Sequence, residues 1–351
     1  MTAAGEIRFS RIYFRCSQCT LGTFAADERV GISGRYSPQS QRLICLAGAS
    51  WSFDVASERL EELCGLSVSD NTIREVSQQQ GAKMLAWQRE SFEAVEEFRK
   101  APGDIEFTTD GTSVNTTNGW REMKLALFSK RHAGEPALPE EWESRHLPKP
   151  HVRVAFAAIE KSDRFGSRWR HWCHRLGILD PSRITVVADG AKWIWEEKRN
   201  HLWESDGILD VFHALEHLSD AGKILYGEET AEAAGFRDRG REQLLSEGFE
   251  GLVRFLEEIK RQMQTPKHQA AIEALENYLG NHADHLHYAE RLSQGQSIGS
   301  GQIEGACKNL VGRRLKQTGA RWRPRRVNRM AGLCAVMYSD NWKTYWNTLL
   351  A

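Results

Sequence analysis

The chain has 351 residues, of which 40% are hydrophobic and 27% charged, and its 47 basic and 47 acidic side chains cancel. That is an ordinary globular composition, long enough for two or three domains, and it excludes disordered and collagen-like polypeptides. No apolar run approaches the roughly 18 residues of a membrane-spanning helix, no secretory pattern opens the chain, and the seven scattered cysteines form no disulfide framework, which together predict a cytoplasmic protein.

Residues 1–50 are poorly periodic and contain Cys16-Ser17-Gln18-Cys19. From about Phe53 to Gln80 the pattern is helical. Val55, Leu60, Leu63 and Leu66 form an apolar face, Gly65 interrupts it, and Ser67 to Thr72 supply capping residues for a second helix. The pair reads either as a DNA-reading helix-turn-helix or as a plain helical pair. Gly81 to Lys100 predicts a longer helix, stopped by Pro102-Gly103.

Strand character begins at residues 105–110 and returns at 121–129, with Asn118-Gly119 as the hairpin signal between them. Residues 131–150 hold several prolines and read as loop. A third strand is expected at 152–159, an aromatic-rich helix at 162–176, a fourth strand at 184–188, a helix at 191–201 and a fifth strand at 207–212. Such an order predicts an α/β sheet of mixed direction. From 216 to 296 everything reads as polar-amphipathic helix, so an all-helical insertion is expected there. A last helix begins near Gly301 and carries Glu304, Lys308, Val311 and Leu315.

Three acidic residues stand in unusual settings. Asp110 and Asp189 each end a strand-like run and precede a glycine, and Glu304 lies in a helical segment. A carboxylate at the end of a buried strand is costly unless it is paired or metal-bound. Two strand-end aspartates and a helical glutamate form the donor set that a two-metal phosphodiester site uses. After Glu304, residues 305–339 contain no acidic residue and carry Lys308, Arg313, Arg314, Lys316, Arg321, Arg323, Arg325, Arg326 and Arg329. A one-signed block of this kind suits a polyanion, and its alternative is a solvated basic face. Trp322, among these arginines, could stack on a base. Lys308, four residues after Glu304, either meets a phosphate or pairs with the glutamate. His282, His285 and His287 are expected at the surface, and Trp193 and Trp195 in the core.

Thr109-Asp110-Gly111-Thr112, Ala188-Asp189-Gly190-Ala191, Leu209-Asp210-Val211-Phe212-His213, the segment Gly299 to Lys308 and the tail Arg314 to Trp322 resemble, in order, the blocks of bacterial insertion-sequence transposases of the ISKra type. The stretch from Leu43 to Gly81 extends the likeness. The resemblance implies an RNase H-like mixed sheet with an all-α insertion and an N-terminal helical DNA-binding region. It divides the chain into an N-terminal region (1–50), a helical part (51–101), the first part of the core (102–215), the insertion (216–296) and a final catalytic helix with a basic tail (297–351). It also implies Asp110, Asp189 and Glu304 as the catalytic triad holding Mg²⁺ or Mn²⁺, with Asp210 and His213 as auxiliary residues. The partners implied are DNA, both element terminal repeats and target, and further copies of the chain assembled on it. Lys308, Arg313, Arg314, Lys316, Arg321, Trp322 and Arg323 are the expected DNA contacts. Cys16 and Cys19 are half of what a zinc ribbon needs, which leaves Zn²⁺ open. Two other readings are a nuclease with the same site that does not join strands, and an inactive relative that only binds DNA.

Overall fold

A computed structural model describes residues 1–2, 7–8, 10–29, 35–263 and 265–349. Five strands form the central sheet: β1 (Asp104–Thr116), β2 (Gly119–Arg131), β3 (Val152–Ala158), β4 (Ile184–Ala188) and β5 (Asp206–Leu209). Their spatial order is β3-β2-β1-β4-β5, with β1, β2 and β3 antiparallel neighbours and β4 and β5 parallel to β1. The expected mixed sheet is therefore present. β1 and β2 are longer than their sequence signal, because they pair with each other from Asp104↔Arg131 to Thr116↔Gly119, with Gly119 (φ 85°) completing the turn. The fifth strand is shorter than expected: it stops at Leu209, since Asp210 turns to cap the following helix.

Alternation along the strands feeds two cores. Phe107, Phe128 and Phe156 face one side, where they meet Phe165, Trp169 and Trp172 of the helix Ser162–Arg175 and, farther along, the helices that follow β5. Val114, Met123, Leu125 and Leu127 face the other. That second core is built from both ends of the chain. Helices α1 (Pro38–Ser50), α2 (Phe53–Cys64) and α3 (Asp70–Glu90) pack there with α4 (Pro324–Tyr338). Ser37 caps α1, Gly65 in the left-handed region (φ 62°) ends α2, and Ser69 caps α3. The first 50 residues thus hold a helix that their weak periodicity did not announce. α3 runs through Gly81 to Glu90 without a break, where the sequence suggested a new helix beginning at Gly81.

Residues 216–296 contain no strand among the described residues, as expected of the insertion. Its helices are α5 (Val211–Tyr226), α6 (Ala231–Gln262, broken at Gly248 with φ 63°), α7 (Pro266–Gly280) and α8 (Tyr288–Ser293). Their apolar faces join the first core directly through Leu218, Phe236, Leu256 and Leu279, so the insertion is continuous with the sheet's packing. Among the described residues no helix is long and apolar enough to cross a membrane.

Candidate functional site

Asp110 and Asp189 come together because their strands are parallel neighbours. Phe107 is level with Val186, and each aspartate lies three residues farther along its own strand direction. Neither carboxylate has a basic partner among the described residues. Asp110 Oδ1 accepts from the Gly111 amide at 2.5 Å, and Asp189 Oδ1 accepts from the Ala191 amide at 3.0 Å. Burial holds the Asp110 carboxyl above its ordinary range, and the nearby negative charge of Asp189 pushes the same way. The field of His213 acts in the opposite direction, which puts that imidazole within electrostatic reach of Asp110.

Pairing Asp110 with Leu125 turns its side chain toward the second core, the side from which the third acidic residue arrives. Glu304 lies on the short helix Gly301–Ala306, whose Ile303 and Ala306 are buried against the sheet. Two carboxylates fix this helix. Glu106 on β1, itself in a bidentate pair with buried Arg131, accepts from Gln302 Nε2 at 2.6 Å. Asp210 accepts from the Ser300 amide through Oδ2 and from the amides of Phe212 (2.7 Å) and His213 (3.1 Å) through Oδ1. Asp210 is 3% exposed and spends both oxygens on backbone amides, so it caps α5 and anchors the glutamate's helix at once. His213, on the first turn of α5, reaches Glu216 at 3.2 Å.

The Glu304 carboxylate points outward and pairs with Lys308 Nζ at 2.5 Å, with 66% and 72% of the two side chains exposed. Of the two alternatives for Lys308, this arrangement has the i,i+4 pair. Among the described residues no group of three or more His, Cys, Asp and Glu side chains is gathered closely enough to hold a metal ion. Asp110 and Asp189 nonetheless suit a hard divalent cation: they are half-buried, like-charged and without a counter-charge. An exposed ion pair such as Glu304–Lys308 contributes only about 0–1 kcal/mol, so turning Glu304 inward costs little.

Two neighbours of the site had no sequence signal of their own. Cys307 donates its thiol to Asp110 Oδ2 at 3.6 Å, and burial together with the Asp110 charge pushes that thiol up to about 12. It opens a π-helical stretch, Cys307–Gly312, that continues the glutamate's helix. Its place three residues after Glu304 is the one clue that spacing offered. Tyr278 arrives from α7, and its hydroxyl occupies the space that a Cβ on Gly190 would need, 2.1 Å from that position. Burial and the charges of Asp189 and Asp210 push its phenol up to about 12.

The basic block divides into buried and exposed members. Arg314 is 2% exposed, donates to the Gly48 carbonyl at 2.6 Å, and lies over the rings of Phe53 and Trp322. Trp322 is 8% exposed and donates to the Leu315 carbonyl at 3.0 Å. The expectation that these two meet DNA is corrected here, because their faces are already covered by the protein. Arg313, Lys316, Arg321 and Arg323 remain exposed. Arg321, Arg323 and Arg326 line a groove with Phe53 and Arg74, and none of these four arginines has an ion-pair partner among the described residues.

The three histidines also depart from expectation. His282 and His285 pack against Trp195, and burial holds the His282 imidazole down at about 4. His287 pairs with Asp206 at 3.3 Å. Trp195 is a core residue, as its sequence setting suggested. Cys16 and Cys19 are both exposed at the end of a two-stranded hairpin, Phe14–Arg15 with Gly22–Thr23. Backbone amides at Cys19 and Gln18 draw the Cys16 thiol below its ordinary value.

A search among curated proteins gave no match. A family model described as "Uncharacterised protein family (UPF0236)" matches residues 1–344. With nearly its whole length covered, from the exposed cysteine hairpin through the paired aspartates to the closing helices, the chain belongs to that family.

Proposed function

We propose that this protein is a DNA transposase of an insertion sequence, cutting element ends and joining them to target DNA with Asp110, Asp189 and Glu304 as its acidic triad. The single observation that carries the reading is the pair of unpartnered aspartates at one level of two adjacent parallel strands. A strand order of β3-β2-β1-β4-β5 with only β2 reversed supports an RNase H-like core. Asp110 and Asp189 would hold a shared Mg²⁺ or Mn²⁺, and Glu304 would join them once it leaves Lys308. The ions supply activation of the attacking oxygen and stabilisation of the leaving one. Asp210 and Glu106 keep the glutamate's helix against the sheet, and the field of His213 lowers the Asp110 carboxyl against the effect of burial. The exposed cations Arg313, Lys316, Arg321 and Arg323 serve the phosphate backbone.

The outward Glu304 favours one second reading, an inactive relative that binds DNA without cutting it. Both readings meet in one experiment on a duplex carrying the sequences that flank the coding region. With Mg²⁺ the wild-type protein nicks this duplex, and Asp110→Asn lowers the rate by orders of magnitude while binding persists. Mg²⁺ at several times its Kd should also stabilise the wild type by about 1 kcal/mol in thermal unfolding and leave Asp110→Asn unchanged. Cleavage by Asp110→Asn at the wild-type rate sinks the proposal. Binding without cleavage by the wild type selects the second reading.

A further inference from the structure

We infer that the groove between α2, α3 and the basic tail seats backbone phosphates of duplex DNA about six base pairs from the phosphate that Asp110 and Asp189 would hold, with Arg74 and Arg326 joining Arg321 and Arg323 as its cations. The inference rests on the proposed function and adds where the uncut duplex beside the site is held.

The groove and the aspartates lie on one side of the sheet. Alternate residues of a strand share a face, so Asp110, Thr112, Val114 and Thr116 of β1 all look toward the second core, which includes Val114 and the Leu125 that pairs with Asp110. Lys316 marks the way between the two places, since its Nζ donates to Thr112 Oγ1. At the end of the strand Thr116 bridges to Trp322. The Thr117 amide donates to the Trp322 carbonyl at 2.7 Å, and the Trp322 amide donates to the Asn115 carbonyl at 3.0 Å. These bonds fix the tail against the strand end, and with it the arginines on either side of Trp322. From Asp110 to Thr116 the strand advances about 20 Å, which is the rise of about six base pairs.

The other wall of the groove comes from α3. Arg74 and Gln78 lie one turn apart on it, and Gln78 Nε2 donates to the Arg326 carbonyl at 3.0 Å, which ties this wall to the first turn of α4. Arg74, Arg321, Arg323 and Arg326 therefore converge from both ends of the chain, and none of them has an ion-pair partner among the described residues. Two acids line the groove as well. Asp54 and Asp70 stand in the first turns of α2 and α3, where a carboxylate complements the amide end of its helix. The four guanidinium groups, with Arg314 beneath them, outnumber these two carboxylates. α4 begins here with neither an acid in its first turn nor a side-chain cap, so its amide end adds to the positive field.

Guanidinium forks match the oxygens of a phosphate in pairs. The rings decide between paired and unpaired DNA. Trp322 is 8% exposed, Phe53 meets it edge to face at 6.1 Å, and one guanidinium, that of Arg314, lies over both. These rings serve the protein's own packing and leave the groove without the stacking platform that unpaired bases use. An acidic protein segment would meet the same charges, but the cations run from the groove past Lys316 toward the two aspartates, as a continuous nucleic-acid backbone requires.

The test measures binding in EDTA by fluorescence anisotropy, with a duplex of about 30 base pairs and with poly-glutamate as probes. Arg74→Ala combined with Arg326→Ala should bind the duplex about tenfold more weakly at about 0.1 M salt, and its log–log salt slope should be shallower by about 1.8, or about 0.9 per phosphate contact. Arg74→Lys combined with Arg326→Lys keeps the charge and should keep the slope, which separates a lost contact from a damaged fold. The placement is read with duplexes shortened toward the position nicked in Mg²⁺. Wild-type affinity should rise sharply once the arm on one side passes about six base pairs, and the alanine variant should lack that rise. An unchanged duplex affinity and slope in the alanine variant overturns the inference, as does a wild type whose affinity shows no step with arm length. A loss confined to poly-glutamate overturns it in favour of an acidic protein segment. A wild type that binds duplex through these arginines and never nicks it supports the groove and removes the proposed cutting.

Discussion

Asp210 shows how much one buried carboxylate can hold. Three backbone amides from two separate segments converge on its two oxygens, joining the start of α5 to the turn before Glu304. Asp210→Ala leaves those amides unsatisfied in a closed environment, a loss of about 1–3 kcal/mol that a lowered midpoint in urea unfolding would report. Cleavage should fall as well, because the glutamate's helix loses one of its two anchors; a variant as stable as the wild type would contradict the role. Asp110 and Asp189 stood out in the sequence because each follows a strand-like run and precedes a glycine. Asp210 also follows a strand, Asp206–Leu209, and only its hydrogen bonds to three backbone amides reveal it as an anchor. The tryptophans mark the limit of local composition. Trp322 lies among arginines yet is buried, whereas Trp120 has an unremarkable setting and is exposed, because the face a strand residue takes depends on what packs across it.

At the scale of elements, α3 and α4 meet through glycines on both sides. A Cβ on Gly81 would lie 2.2 Å from the Arg329 carbonyl oxygen, and one on Gly332 would lie 2.4 Å from Leu85. The close approach explains why α3 continues through Gly81: that glycine admits a neighbouring backbone and does not end a helix. Gly81→Ala would gain helix propensity of about 1 kcal/mol in isolation, but the clash is with backbone and cannot be relieved by a rotamer. A net destabilisation of about 1–3 kcal/mol is therefore expected, measured as a lower urea midpoint; a stabilised variant would mean that the helices lie farther apart. The five strands and their mixed direction, the helical insertion and the start of the glutamate's helix followed from the sequence pattern. The helix Pro38–Ser50 did not, since its buried positions include Ser40, Gln41 and Gly48, which an apolar pattern cannot register.

For the whole molecule, the main departure from the sequence reading concerns the ends of the chain. Residues 51–101 and 297–351 were separable on paper, but α1, α2 and α3 share one core with α4, and Gln78 Nε2 donates to the Arg326 carbonyl at 3.0 Å across it. A fragment of residues 35–101 should therefore remain largely unfolded, with weak helical circular dichroism and no cooperative thermal transition. A sharp transition in that fragment would mean that these helices fold without α4.

The shared core also bears on how the polypeptide is made. Some 230 residues lie between the end of α3 and the start of α4, which at roughly 5–20 residues per second is on the order of 10–50 s of translation. Throughout that interval Ile44, Ile73 and Met84, all fully buried in the finished protein, lack the helix that covers them. The glutamate emerges only shortly before that helix. A nascent chain thus passes through a long stage in which this half-built core is exposed to chaperones and proteases.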